Sequence, residues 1–88
     1  GFDAMLMPTV PIVAPRIEAL LASEETFFNV NRQLLRNPSL INLLDGCALS
    51  VPCHRAGDLP VGLTIGAPAM ADAKVFSIGL AIERVIDE

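Results

Sequence analysis

The chain has no tryptophan and no tyrosine, one histidine, one lysine and two cysteines in 88 residues. Each scarcity closes a class. Without Trp or Tyr the large stacking residues for nucleobases are missing. The cations Lys74, Arg16, Arg32, Arg36, Arg55 and Arg84 are scattered, and the net charge is −4. Phosphate backbones are held by clustered Lys and Arg, so no nucleic-acid partner is expected. Cys47 and Cys53 make no disulfide framework. On one extended strand they would lie roughly 20 Å apart at about 3.3 Å per residue, whereas a disulfide needs Cα atoms within about 7 Å. Free thiols fit a reducing, cytoplasmic setting. Apolar runs are broken by Pro, Asp, Arg or Glu, so the roughly 20 apolar residues of a spanning helix are lacking and no membrane role is expected. No basic segment precedes an apolar one, so the chain reads as carrying no secretory signal.

What is abundant is apolar side chain: 52% of the residues, with a mean hydropathy of +0.54. A chain this short buries only about 60–65% of its unfolded surface. So much apolar material implies that further protein covers part of it.

The pattern along the chain gives the order strand, helix, helix, strand, strand, helix. Residues 2–7, FDAMLM, read as a short buried strand ended at Pro8-Thr9. The proline-punctuated TVPIVAP then runs extended. Residues 16–22 form a short helical turn. Ser23 caps a helix whose first turn holds Glu24 and Glu25. Its apolar stripe is Phe27, Val30, Leu34 and Leu35. Asn37-Pro38 breaks this helix and starts another, which carries Leu40, Ile41 and Leu44 and stops at Gly46.

Residues 47–53, CALSVPC, are a strand with Cys47, Leu49, Val51 and Cys53 on one face. Pro52 marks it as an edge strand or as its end. A polar loop, HRAGDL, leads to PVGLTIG at 60–66, and the two strands read as an antiparallel hairpin. Gly62 and Gly66 alternate with Val61, Leu63 and Ile65, so one face permits close approach of a helix or backbone. Asp72 caps a final helix to about residue 87. Its stripe is Val75, Ile78, Gly79, Ile82 and Ile86, widened by Phe76, Leu80 and Val85. A helix apolar over most of its circumference belongs inside a larger body. Glu83, Arg84, Asp87 and Glu88 bring its end to solvent.

The residues supply no catalytic centre. Cys53 and His54 are neighbours, but successive strand residues point to opposite faces, and no third group orients the imidazole. Lys74 and Ser77 share a helix face without oxyanion donors or pocket walls. The carboxylates Asp45, Asp58, Glu83, Asp87 and Glu88 form no acid/base pair. One His and two Cys without a CxxC do not make a metal site. There is no GxGxxG, Walker loop or GxSxG. No cofactor is implied.

The string NLLDGCALSVPCHRAGDLPVGLTIGAP, residues 42–68, resembles the C-terminal region of the amidase-signature family. There N-x-x-G-x-[AP]-x-S-x-P-x-G is followed by G-[LM]-P-x-G-[LV]-x-[LI]-x-G. FDAMLMPTVPIVAP, residues 2–15, is similar to that family's F-D-x-L-x-x-P-T-x-P-x-x-A-P, and DAKVFSIGLAIERVID is similar to its last helix. The resemblance implies an α/β fold: three short strands, one N-terminal and two in an antiparallel hairpin, with about three helices, at the edge of a larger mixed sheet. It implies that residues 1–88 are one C-terminal segment with no internal boundary. The implied chemistry is carboxamide hydrolysis through a Ser–cis-Ser–Lys triad. Ser23, Ser39, Ser50, Ser77 and Lys74 do not stand in the triad's motifs, so the chain alone is expected to be inactive. The implied partners are the remainder of the amidase domain, a small amide substrate and a second copy of the whole enzyme in a homo-oligomer. Two positions depart from the pattern. His54 stands where many relatives have glycine, and Asp58 precedes Leu59-Pro60 where the pattern has glycine. Cys53 and His54 are the candidate substrate-pocket residues. The contrasting reading is a stand-alone, non-catalytic interaction module that reuses this fold piece.

Overall fold

A computed structural model describes residues 3–87. The elements are β1 (Met5–Pro8), α1 (Ile17–Leu21), α2 (Glu24–Leu43), β2 (Cys47–Pro52), β3 (Gly62–Ala67) and α3 (Asp72–Ile86). Three strands form one sheet in the order β1-β3-β2, with β3 antiparallel to both neighbours. This is the expected small α/β arrangement. The expected strand over 2–7 is realised as Met5–Pro8. Phe2, at its expected start, and Glu88, at the expected solvent end of the last helix, lie outside the described residues.

The hairpin register pairs Cys47 with Ala67 and Pro52 with Gly62. β2 is an edge strand, where Pro52 costs no ladder bond to a further neighbour. The period-2 pattern sorts its faces: Cys47, Leu49 and Val51 turn inward while Ala48, Ser50 and Pro52 stay exposed. α3 packs on that inner face through Val75, Ile78, Gly79, Ile82 and Ile86, none of them exposed. Gly79 is what lets the helix come so near, since a Cβ there would lie 2.5 Å from Leu49 Cδ2. Val51, Ile65 and Val75 form the buried core, with Leu49, Leu63, Ile78 and Ile82 packed around it.

The opposite face meets α2 only near that helix's end. Ile41 sits over Gly66, where a Cβ would come within 2.9 Å of Ile41 Cδ1. The rest of α2 leans on α1. No residue of α2 is buried. The helical pair therefore projects from the sheet. The Cα radius of gyration is 15.0 Å, against about 12 Å for a compact chain of this length.

Several expectations need correction. Asn37-Pro38 does not break the helix: α2 runs through Pro38 as one 20-residue element. Proline removes one N–H and leaves the Leu34 carbonyl without its usual donor. Leu34 is only half-buried and Pro38 is exposed, so water can serve that carbonyl. Ser23 does cap this helix, accepting from the Thr26 N–H at 3.4 Å. Asn37 is not a cap; its side chain reaches β1 instead. The covered side of α2 runs through Thr26, Val30, Leu34 and Ile41, whereas Phe27 and Leu35 are exposed. Phe27 and Phe28 pack edge-to-face with centroids 5.8 Å apart. The left-handed stop after α2 is Asp45 (φ 53°) rather than Gly46. The Gly46 N–H bonds the Ile41 carbonyl and the Asp45 N–H bonds the Asn42 carbonyl, the two closing bonds of a Schellman turn. Asp72 is the first helical residue of α3 and not its cap; Ala71 holds the cap position with no side-chain bond. The Asp72 carboxylate still lies in the first turn, where the helix dipole favours it.

Candidate functional site

The hairpin end carries the two residues singled out by sequence. Past Pro52 the ladder continues for one bond, from the Cys53 N–H to the Val61 carbonyl at 2.9 Å. His54 then takes over. Its Nδ1 lies 3.2 Å from the Val61 nitrogen and 3.3 Å from the Val61 oxygen. Only one of these can be a hydrogen bond of a neutral ring. Either the Val61 N–H donates to Nδ1 or a protonated Nδ1 donates to the Val61 oxygen, and in both tautomers the ring is tied to the Val61 peptide. A glycine at this position could not make this clamp.

Cys53 and His54 do not form a dyad. The Cys53 thiol lies 3.6 Å from the Val61 carbonyl oxygen, so thiol and imidazole both engage the Val61 peptide rather than each other. Both side chains are exposed. Both cysteines are free; the Cys47 thiol donates to the Pro68 carbonyl at 3.3 Å. Lys74 does not serve Ser77. It pairs with Asp3 at 3.2 Å on an exposed surface.

His54 stands between two shallow grooves. One is bounded by Val13, Arg55, Asp58 and Leu59. The other lies between the segment Thr9–Val10 and the hairpin residues Ser50, Pro52, Pro60 and Gly62. The second groove contains a hydroxyl chain that sequence reasoning missed. Thr9 Oγ1 is 2.6 Å from Ser50 Oγ and 2.7 Å from Thr64 Oγ1. Thr64 is buried, at 6% exposure, and Ser50 is open to solvent. The chain is possible because Gly62 has no side chain: a Cβ there would fall 2.6 Å from Ser50 Oγ and 2.8 Å from Thr9 Oγ1. Its only sequence signal is that Ser50 and Thr64 become cross-strand partners once the hairpin register is fixed. Thr9 is brought in by β1 pairing with β3, its N–H donating to the Gly62 carbonyl at 2.9 Å.

Chemically this end of the sheet can donate and accept hydrogen bonds. Among the described residues no nucleophile is bonded to a base, and no group of three or more His, Cys, Asp or Glu is placed to hold a metal ion. No helix among them is long and apolar enough to cross a membrane.

The amidase family model matches residues 1–76, most of the chain. The chain belongs to the amidase family. Relatives of this amidase chain include the 2-amino-5-chloromuconic acid deaminase of Comamonas testosteroni, 38% identical over 87 residues. That match covers 98% of this chain and 19% of the deaminase. A glutamyl-tRNA(Gln) amidotransferase subunit of Salinispora tropica is 39% identical over 84 residues, covering 96% of this chain and 16% of the Salinispora protein. An uncharacterized protein of Rhodococcus erythropolis is 31% identical over 84 residues and is covered to 42%. The chain thus spans less than a fifth of the first two relatives and corresponds to a small part of such amidase-family proteins. No solved structure gives a significant match.

Proposed function

We propose that this chain is the C-terminal segment of a carboxamide hydrolase of the Ser–cis-Ser–Lys type. In this reading residues 1–88 complete the α/β sheet of the enzyme and supply part of its pocket wall at Cys53 and His54. The triad stands in the remainder of the domain, and the parent enzyme works in the cytoplasm on small linear amides.

The observation that carries this reading is the uncovered apolar surface. The accessible surface is 6637 Å², whereas a compact folded chain of this mass exposes about 5,000 Å². Leu21, Leu43, Phe76 and Val85 are each more than 60% exposed. Isolated apolar residues on a surface are ordinary, but whole helix faces left open mark an interface. Together with a family match that covers under a fifth of two relatives, this supports a body of protein packed against α1, α2 and α3.

The test is hydrolysis of simple aliphatic amides, measured on the 88 residues alone and on the longer protein that contains them. The expected result is no turnover by the chain, turnover by the longer protein, and loss of that turnover when residues 1–88 are deleted. Hydrolysis by the chain alone, or a longer protein indifferent to the deletion, overturns the proposal.

A further inference from the structure

We infer that the sheet continues beyond β1 and not beyond β2: a further strand of the longer amidase-family protein lies along β1 and bonds the Leu6 N–H and carbonyl, while β2 stays an outer edge. This rests on the reading of the chain as one segment of a larger sheet and adds which side of it the next strand occupies.

The backbone shows what each edge offers. In an antiparallel ladder, residues that exchange bonds with the partner strand alternate with residues that turn both groups away. The Thr9 N–H donates to the Gly62 carbonyl, so the register turns Met7 and Met5 toward β3 and the Leu6 N–H and carbonyl outward. The Pro8 carbonyl belongs to the same outward set, and it is the one that the Asn37 amide takes at 2.7 Å. On the other side the Cys53 N–H donates to the Val61 carbonyl, so Cys47, Leu49 and Val51 face β3 while the Ala48 and Ser50 peptide groups turn outward. Each edge strand ends on a proline, Pro8 or Pro52, at an outward position. Proline has no N–H to offer there, so the prolines do not choose between the two edges.

The side chains do choose. A strand covered on both faces reads as a continuous apolar run, whereas an alternating strand has one face in water. β2 alternates, with Ala48, Ser50 and Pro52 on its exposed face. Ala4, Met5, Leu6 and Met7 are an unbroken apolar run. Met5 and Met7 are half-buried on the face that meets Ile41. Leu6 pairs with the core residue Ile65 and so stands on the α3 face. Yet α3 lies over β2 and β3, and Leu6 is left 54% exposed. An apolar strand with one face open and its outer ladder unpaired, among the described residues, lacks a neighbour on that side. A match that covers under a fifth of two relatives leaves ample chain in such proteins to supply it. The strand that fits is uncharged beside Leu6 and brings an apolar residue to the α3 face.

Hydrogen exchange of the longer protein in deuterated water, read residue by residue, tests the assignment. The Leu6 amide should exchange orders of magnitude more slowly than the Ala48 and Ser50 amides, and its protection should not change on dilution. A second readout is the variant Leu6→Gln, which should lower the melting temperature of the longer protein because its strand neighbour covers that side chain. Fast exchange at Leu6 overturns the inference, as does protection of Ala48 and Ser50 or an unchanged melting temperature in Leu6→Gln. Protection of Leu6 that fades on dilution would give this edge to a second copy and overturn it equally. A longer protein with Leu6 protected but no amide turnover would instead remove the hydrolase reading and leave the β1 assignment standing.

Discussion

The Asn37 side-chain amide donates to the Pro8 carbonyl at 2.7 Å, joining the last two turns of α2 to the end of β1 across 29 positions of sequence. Few other ties hold the helical pair to the sheet, since α2 meets it mainly at Ile41 over Gly66. Asn37→Ala removes this bond and should cost about 1 kcal/mol. Thermal melting of the chain measures the loss. Amide hydrogen exchange should quicken across α2 more than across α3.

Pro38 is the opposite case, a residue whose removal should help. A helix-interior proline costs about 3 kcal/mol relative to alanine. Even if the substitution breaks the Asn37 bond, worth about 1 kcal/mol, the balance favours the variant. Pro38→Ala should raise stability by about 1–2 kcal/mol and increase helical ellipticity. An unchanged or lower melting temperature would show that proline at position 38 is needed to seat α2.

Two glycines with near-identical crowding should respond unequally to alanine. A Cβ at Gly46 would stand 2.6 Å from the Ala67 carbonyl oxygen, a backbone atom. At Gly79 it would stand 2.5 Å from Leu49 Cδ2, the tip of a side chain. The Leu49 tip can turn aside, and the helix gains about 1 kcal/mol from alanine, offsetting an overpacking cost of about 1–3 kcal/mol. Gly46→Ala has no such relief and must shift the backbone that joins α2 to β2. Denaturant melts should rank Gly46→Ala well below Gly79→Ala.

Uncovered helix faces predict the solution behaviour of the isolated chain. It should bind ANS strongly and self-associate with rising concentration. Replacing Phe76 and Leu80, 64% and 53% exposed on α3, with glutamine should reduce both without lowering the melting temperature much, because neither touches the buried core. A native chain that stays monomeric and dark in ANS would count against a missing protein partner.

What the sequence made legible was local. Alternation in CALSVPC and PVGLTIG fixed the hairpin and its inner face, and the Val75-to-Ile86 stripe fixed the packed side of α3. Ser23 before two glutamates fixed the start of α2. The helix boundary at Pro38 misled because a proline rule weighs one lost bond against nothing, whereas the continuous helix also carries the Asn37 tie and the Ile41 contact. The candidate pair Cys53 and His54 was found by position, but its chemistry was not: the clamp on Val61 depends on where the ladder stops. The Thr9–Ser50–Thr64 chain needs three strands in register, information that no single segment holds.

The sheet order also governs when this structure can form. β3 is the middle strand, and it follows both of its neighbours in the chain. Within these residues β1 and β2 therefore cannot enter the ladder until Gly62–Ala67 has been made, and Met5 waits for Gly66 across most of the sequence. Pairings so distant in sequence close slowly. Until β3 is in place this sheet cannot close, and strand edges and apolar helix faces left uncovered in that way are prone to aggregate.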